Sequence, residues 1–226
     1  MRVSVVIPTW NEAGVIVSCL SKLAEQGADE VIVADGTSPD GTASLAGPLC
    51  TRVVSGPRGR GAQQNLGAAA ASGDVLLFLH ADCWLAPGAI TLLRNFLRRH
   101  PRSPGGCFRM RVADPDPRFR LIDAAADLRA GLLGIPYGDQ GLWVPRWAFE
   151  RAGGFPETLL MDDVLLALRL RQLGRLALLR PSIHVSPRRW KYQGLLRQSF
   201  RNWTLTALAA LGVHPNTLSR YYPMIR

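Results

Sequence analysis

Alternating short β-branched runs and helical stretches in the first hundred residues constrain this chain more than any other feature. Val3-Ser4-Val5-Val6-Ile7 is a near-continuous β-branched run, which suits a strand buried on both faces. A helix is predicted from about Glu12 to Gln26, with Val15, Ile16, Cys19, Leu20 and Leu23 on one face. A second buried strand, Glu30 to Ala34, ends at Asp35-Gly36. A short helix around Thr42 to Leu45 precedes a weaker strand at Arg52 to Val54. A further helix runs from about Ala62 to Ala71, and Asp74 to Leu79 is the strongest strand of all. This order predicts an α/β fold, Rossmann-like, with a mostly parallel central sheet flanked by helices. In such sheets ligands bind beyond the carboxyl ends of the strands.

After a helix at about Gly88 to Arg99 the alternation stops at a turn cluster, His100 to Gly106. The second half reads as a strand (Cys107 to Val112), helices near Phe119 to Leu132 and Asp163 to Leu173, and Gly- and Pro-rich turns. We expect one domain over 1–226, whose first half (1–104) and mixed second half (105–226) share one sheet. Leu195 to Val213 is amphipathic, with Phe200, Trp203, Leu205, Leu208 and Leu211 near helical spacing and Arg197 and Arg201 beside them. Such a helix suits either core packing or a membrane surface.

Composition narrows the class. At 226 residues with 47% hydrophobic and 19% charged, the chain can bury a large core. Its formal charge of +10 comes almost wholly from arginine, since Lys22 and Lys191 are the only lysines. That excess suits phosphates, nucleic acid, an anionic membrane face, or plain solvated surface. Cys19, Cys50, Cys83 and Cys107 are scattered, with no C-x-x-C pair, which argues against a zinc site or disulfide framework. With no secretory signature and no uninterrupted apolar stretch of about 18 residues, a cytoplasmic protein is expected.

Three strands of the first half end in polar clusters: Pro8-Thr9-Trp10-Asn11-Glu12, Asp35-Gly36-Thr37 and His80-Ala81-Asp82. Each alone has a plain explanation. Thr9 or Asn11 would cap a helix, Asp35-Gly36 would make a turn, and Asp82 would cap the helix beyond Pro87. Three at one sheet edge point to a ligand site.

VVIPTWNE, VIVADGT, GRGAQQNLGAAAASGDVLLFLHAD and MDDVLL, in that order, resemble the family 2 glycosyltransferases of GT-A fold, and most of all their small stand-alone bacterial members. The likeness runs from Val3 to about Trp190. It implies that Pro8, Thr9, Asn11 and Glu12 hold the nucleotide base and ribose, with Asp35 accepting a hydrogen bond from the base and Gly36 beside it. It places Arg58, Gly61 and Asn65 on the stretch beside the nucleotide, with His80, Ala81 and Asp82 at the metal motif. Asp82 matches the last acid of the D-x-D motif, and Asp163 the catalytic base. His80 stands where the family has its first acid, which makes metal dependence less secure than the fold and leaves room for a member that binds nucleotide without transfer.

The chemistry implied is inverting transfer from a nucleotide-diphosphate sugar, a uridine one being favoured, with Mn²⁺ or Mg²⁺ as cofactor. Asp162 would cap and charge the start of its helix. Gly138, Asp139 and Gln140 would line an acceptor pocket or make a simple turn. His184 would add a metal ligand or be structural. Arg188, Arg189 and Trp190 would grip the diphosphate or an anionic acceptor, or form a surface turn. The acceptor is unknown; a lipid-linked one, with peripheral membrane contact, would suit the basic terminal segment. The rival is a non-catalytic basic binding module for nucleotide, nucleic acid or membrane. No nucleic-acid motif accompanies the charge, so no nucleic-acid partner is expected. A dinucleotide-dependent oxidoreductase is excluded, because Gly59-Arg60-Gly61-Ala62-Gln63-Gln64 lacks the third glycine of G-x-G-x-x-G and follows the third strand.

Overall fold

Val3, Val5 and Ile7 enter one core layer and Val6 the other, so the first strand is buried on both faces, as its β-branched composition requires. The computed structural model describes residues 1–158 and 160–194, and beyond them 201, 204, 205, 208, 213 and 217. Its elements run β1 (Val3–Thr9), α1 (Ala13–Ala24), β2 (Glu30–Asp35), α2 (Thr42–Ala46), β3 (Arg52–Ser55), α3 (Arg60–Ala70), β4 (Val75–Phe78), β5 (Cys83–Leu85) and α4 (Ala89–Arg99). The second half continues with β6 (Gly106–Val112), α5 (Arg118–Leu128), β7 (Trp143–Pro145), α6 (Arg146–Arg151), α7 (Asp162–Arg171), β8 (Ala177–Val185) and α8 (Arg188–Gln193).

The eight strands form one sheet in the order β3-β2-β1-β4-β7-β6-β8-β5. The first four are parallel, the doubly wound half expected from the alternation. The halves join where β7 runs antiparallel to β4, pairing Leu76 with Val144. β6 and β8 are parallel, and β5 pairs antiparallel with β8 at the far edge. β5 carries no periodic signal of its own: three residues after the His80 cluster pair because β8 presents an open edge. His184 lies within β8, paired with Trp84 of β5. α3 starts two residues earlier than its composition indicates, because the Gly59 carbonyl accepts from the Gln63 N–H at 2.8 Å.

Beyond Gly106, β6 has no strand on its β7 side. α5 covers that edge with carboxylates: Asp127 Oδ1 accepts from the Met110 N–H at 2.9 Å and Asp123 Oδ1 from the Val112 N–H at 2.8 Å. The helix predicted over 119–132 is α5 followed by one π-turn, Arg129–Leu133. Helices α1 and α4 cover one sheet face through Ile16, Leu20, Ile90 and Leu93. Phe149, Phe155, Leu166 and Leu170 cover the other. A third cluster brings Leu205 against Met161 and Val164, with Leu208 and Val213 alongside. At those positions the terminal segment packs inward; Leu195, Phe200, Trp203 and Leu211 lie outside the described residues, as does Arg197. No described helix is long and apolar enough to cross a membrane. All four cysteines are free, three of them buried.

Candidate active site

Asp35 closes β2 beside Thr9, which closes β1. Its buried carboxylate accepts from Thr9 Oγ1 at 2.9 Å and Ser38 Oγ at 2.7 Å on one oxygen, and from the Ser38 N–H at 2.7 Å on the other. A carboxylate has about four acceptor positions, so capacity for one more donor is left. Gln63 of α3 ties the two strand ends, its amide donating to the carbonyls of Thr9 and Ala34. Gly36 lies against Gln63 and Arg58, and the Arg58 guanidinium sits 4.7 Å above the Trp10 ring. Neither Thr9 nor Asn11 caps α1. Thr42 Oγ1 and Asp40 accept the first N–H groups of that helix instead, from Glu12 at 2.9 Å and Ala13 at 3.0 Å.

Three non-glycine residues among those described have positive φ: Asn11 (55°), Thr37 (64°) and Met161 (63°). Two follow β1 and β2, and the third precedes α7. A β-branched residue there is an outlier, and such strain concentrates at functional sites. The Asn11 N–H donates to Ser38 Oγ at 3.0 Å, so Ser38 holds the strained loop as well as Asp35.

Asp82 follows β4 and caps no helix. The Arg188 guanidinium at the start of α8 stands 3.8 Å from Asp82 and 3.9 Å from Glu12, so one cation spans carboxylates from two loops. Asp139 lies on the same side: after burial, the charges of Asp82 and Asp139 raise the Cys83 thiol above its ordinary range.

Asp162 and Asp163 open α7, where the helix dipole favours negative charge. Asp162 is buried and held by Arg60 through Nε at 2.9 and 3.1 Å and through Nη2. Burial pushes its carboxyl up, against the pull of Arg60. Asp163 accepts from the Gly138 N–H and the Val164 N–H, and Arg60 Nη2 is 3.7 Å away. A Cβ on Gly138 would stand 2.7 Å from His80 Nε2 and 3.1 Å from Asp163 Oδ2. The end of β4, the 138–140 turn and the start of α7 therefore converge on one backbone atom. Arg129 fixes that turn, donating to Gln140 Oε1 at 2.9 Å and to the Ile135 carbonyl while lying 3.2 Å over the Tyr137 ring.

Several expected site residues serve packing. Asn65 spends its amide on the Phe155 backbone, at 2.8 and 2.9 Å. Gly61 lets α3 approach the Pro156 carbonyl, which a Cβ would meet at 2.8 Å. Ala81 is buried in the core, and Gln140 is the internal partner of Arg129. Trp190 is core as well, edge-on to Phe119 at 6.1 Å, because α8 lies over the start of α5. The Arg189 side chain lies outside the described residues. His184 stacks on Trp84 at 5.6 Å. Burial and the Arg111 guanidinium lower its pKa, with Lys22 and Arg120 also nearby. Cations there oppose a bound metal ion. Among the described residues no three His, Cys, Asp or Glu side chains gather as a metal cage. Arg60, Gln63 and Arg129 had no assigned role in the sequence. Only a buried acid pair needing a cation could have pointed to Arg60.

A parallel half-sheet with acids at its strand ends, joined antiparallel to a mixed half that adds a carboxylate, is the organisation of a GT-A nucleotide-sugar transferase domain. The chain belongs to glycosyl transferase family 2, whose family model matches residues 4–153. It is 35% identical over 106 residues to Glycosyltransferase AglE of Haloferax volcanii, covering 40% of this chain and 35% of that protein. Among solved structures it resembles S. aureus TarS 1-349, crystallised also with UDP-GlcNAc, at a TM-score of 0.66 and 19% identity, covering 83% of this chain and 61% of TarS 1-349. It also resembles the mannosyltransferase PcManGT from Pyrobaculum calidifontis in complex with GDP-Man and Mn²⁺, at a TM-score of 0.62 and 25% identity, covering 80% of this chain and 56% of that one. The chain thus spans about a third of AglE and less than two thirds of either solved relative.

Proposed function

We propose that this chain transfers a sugar from a nucleoside-diphosphate sugar to an acceptor hydroxyl, with inversion. The observation that carries this is the convergence of Asp163, Gly138 and His80 at the sheet edge that also bears Asp82 and Asp35. The base would lie in the Thr9–Asp35–Ser38 pocket, donating to the spare acceptor position of Asp35, with Arg58 beside it. We favour a uridine base; the UDP-GlcNAc of TarS and the GDP-Man of PcManGT define the two donor types to compare.

Asp82 suits a Mg²⁺ or Mn²⁺ ion, which needs hard oxygen ligands and takes one or two protein carboxylates beside phosphate oxygens and water. Asp82 is partly exposed, and the placing of Glu12 and Asp82 around one guanidinium supports a cation at this point. When bound, the ion would neutralise charge developing on the diphosphate. Arg188 would add its own charge to the same phosphates.

Asp163 accepts the proton of the acceptor hydroxyl as its oxygen bonds to the anomeric carbon. The bond from that carbon to the diphosphate oxygen breaks, and its electron pair leaves with the nucleoside diphosphate. The Gly138 N–H fixes the orientation of Asp163 at the start of α7. Residues 1–104 serve the donor and 105–226 the acceptor in this scheme.

Calorimetry with UDP and GDP, each with and without Mn²⁺, on the wild type, Asp82→Ala and Asp163→Asn tests the assignment. We expect Mn²⁺-dependent binding of UDP that Asp82→Ala loses. Asp163→Asn should keep binding and lower turnover by on the order of 10²–10⁴-fold. Binding of neither nucleotide would refute the donor site and favour a basic module; unchanged turnover in Asp163→Asn would remove it as base.

A further inference from the structure

The four most exposed leucines among the described residues stand on one element. α5 and the π-turn that continues it expose Leu121 (74%), Leu128 (62%), Leu132 (73%) and Leu133 (56%). Positions 121, 128 and 132 are seven and four residues apart and share one helical face. The opposite face is committed to the fold, with Phe119 and Ala126 buried and Asp123 and Asp127 bonded to β6. A continuous apolar line left in water marks a docking surface.

Charge identifies the occupant. Arg118, ion-paired with Asp116 at 2.6 Å yet largely exposed, stands one turn before Leu121, and the Arg171 side chain lies against Gly134, just past Leu133. The chain carries +10 overall, and beyond Gly194 its sequence adds Arg197, Arg201, Arg220 and Arg226 without a single acid. Three leucines in one helical line, with Leu133 beside them, fall well short of the roughly 800 Å² per partner of a stable protein interface. They match an amphipathic helix lying in the plane of a bilayer.

We infer that this face docks on an anionic lipid bilayer, the leucines seated among the upper acyl chains and the arginines at lipid phosphates. The stripe leads directly into the turn that presents Gly138 to Asp163. Docking therefore brings that site to the membrane surface, and the acceptor is an amphiphile whose hydroxyl lies at headgroup level. This last step rests on Asp163 being the base; the docking does not.

The experiment is co-sedimentation of the full chain with phosphatidylglycerol–phosphatidylcholine vesicles and with pure phosphatidylcholine vesicles. The variants are Leu128→Glu/Leu132→Glu and the uncharged Leu128→Gln/Leu132→Gln, each checked by circular dichroism and UDP calorimetry. We expect the wild type to prefer anionic vesicles at least tenfold, and both variants to lose at least tenfold in partitioning with UDP binding unchanged. Equal partitioning of wild type and variants, or none by the wild type, overturns the proposal. So does a dimer in light scattering that the variants dissociate without vesicle binding, which would give this face to a second copy. Vesicle binding without UDP binding in the wild type would support the surface and refute the catalytic proposal alone.

Discussion

At the scale of single residues, Gly138 decides how the acid at the head of α7 is held. Its N–H reaches Asp163 only because its Cα lies against His80 and Asp163 together, where a methyl group would stand 2.7 Å from the imidazole and 3.1 Å from the carboxylate. Gly138→Ala must push the turn or Asp163 aside. Displacements of about 1 Å at a reacting group cost on the order of 10²-fold. We expect steady-state kinetics of Gly138→Ala to show a fall in kcat of that size, with UDP affinity unchanged in calorimetry. Wild-type kcat would show that Asp163 needs no support from this turn. Of these three residues, Asp163 and His80 were legible in the sequence from their place in MDDVLL and LHAD. Gly138 was one glycine among several in a turn, and nothing along the chain tells which glycine will meet the Asp163 carboxylate.

Between elements, two buried acids carry the long-range contacts, one at the site and one at the other end of the sheet. Arg60 at the start of α3 holds Asp162 at the start of α7, so two helix N-termini face each other across one ion pair. Removing one partner of a buried pair leaves an uncompensated charge, which costs about 3 kcal/mol at the low end, fitting here because Arg60 is itself partly exposed. Arg60→Met should lower the urea-unfolding free energy by that amount; a change below about 1 kcal/mol would show a pair no stronger than a surface one.

The second acid is Glu30, which accepts from Ser4 Oγ and from the Ser72 N–H at 2.8 Å, tying β2 to β1 and to the end of α3. Burial raises its pKa, but these bonds outweigh burial and the net shift is below the ordinary 4.5. A carboxyl that gives up its proton more readily when folded adds stability above its unfolded pKa and loses it as pH falls through the folded value. Urea midpoints measured from about pH 7 down to about pH 3 should therefore fall less steeply for Glu30→Gln than for the wild type. Parallel curves would assign the acid sensitivity elsewhere. The sequence displayed Glu30 as the opening residue of a strand, and only the β1–β2 register sets it on Ser4.

For the whole molecule, the proposed division of roles between residues 1–104 and 105–226 is no division of the sheet. β4 pairs with β7 and β5 with β8, so each half completes the other's sheet. Guanidinium unfolding should be one transition, coincident by circular dichroism and by the fluorescence of the six tryptophans. Residues 1–104 expressed alone should give no cooperative transition. Two separated transitions in the full chain would show that the halves fold independently.

By itself the sequence determined what period and composition encode. These are the β-branched strands buried on both faces, the helices between them, their parallel order, and hence the sheet edge where Thr9, Asp35 and Asp82 emerge. Those features are local, because strand burial and crossover topology follow from hydrophobic pattern and from short right-handed connections. The tertiary structure alone decided which polar residues meet. It set Arg60 on Asp162, Gly138 between His80 and Asp163, and Arg188 between Glu12 and Asp82. It sent Asn65 and Trp190 into internal contacts. It also left the leucines of α5 outside, because the carboxylates on the inner face of that helix were needed at the open edge of β6. Contacts between residues a hundred positions apart leave no periodic trace in the chain, since each depends on where a sheet already built places the ends of its strands.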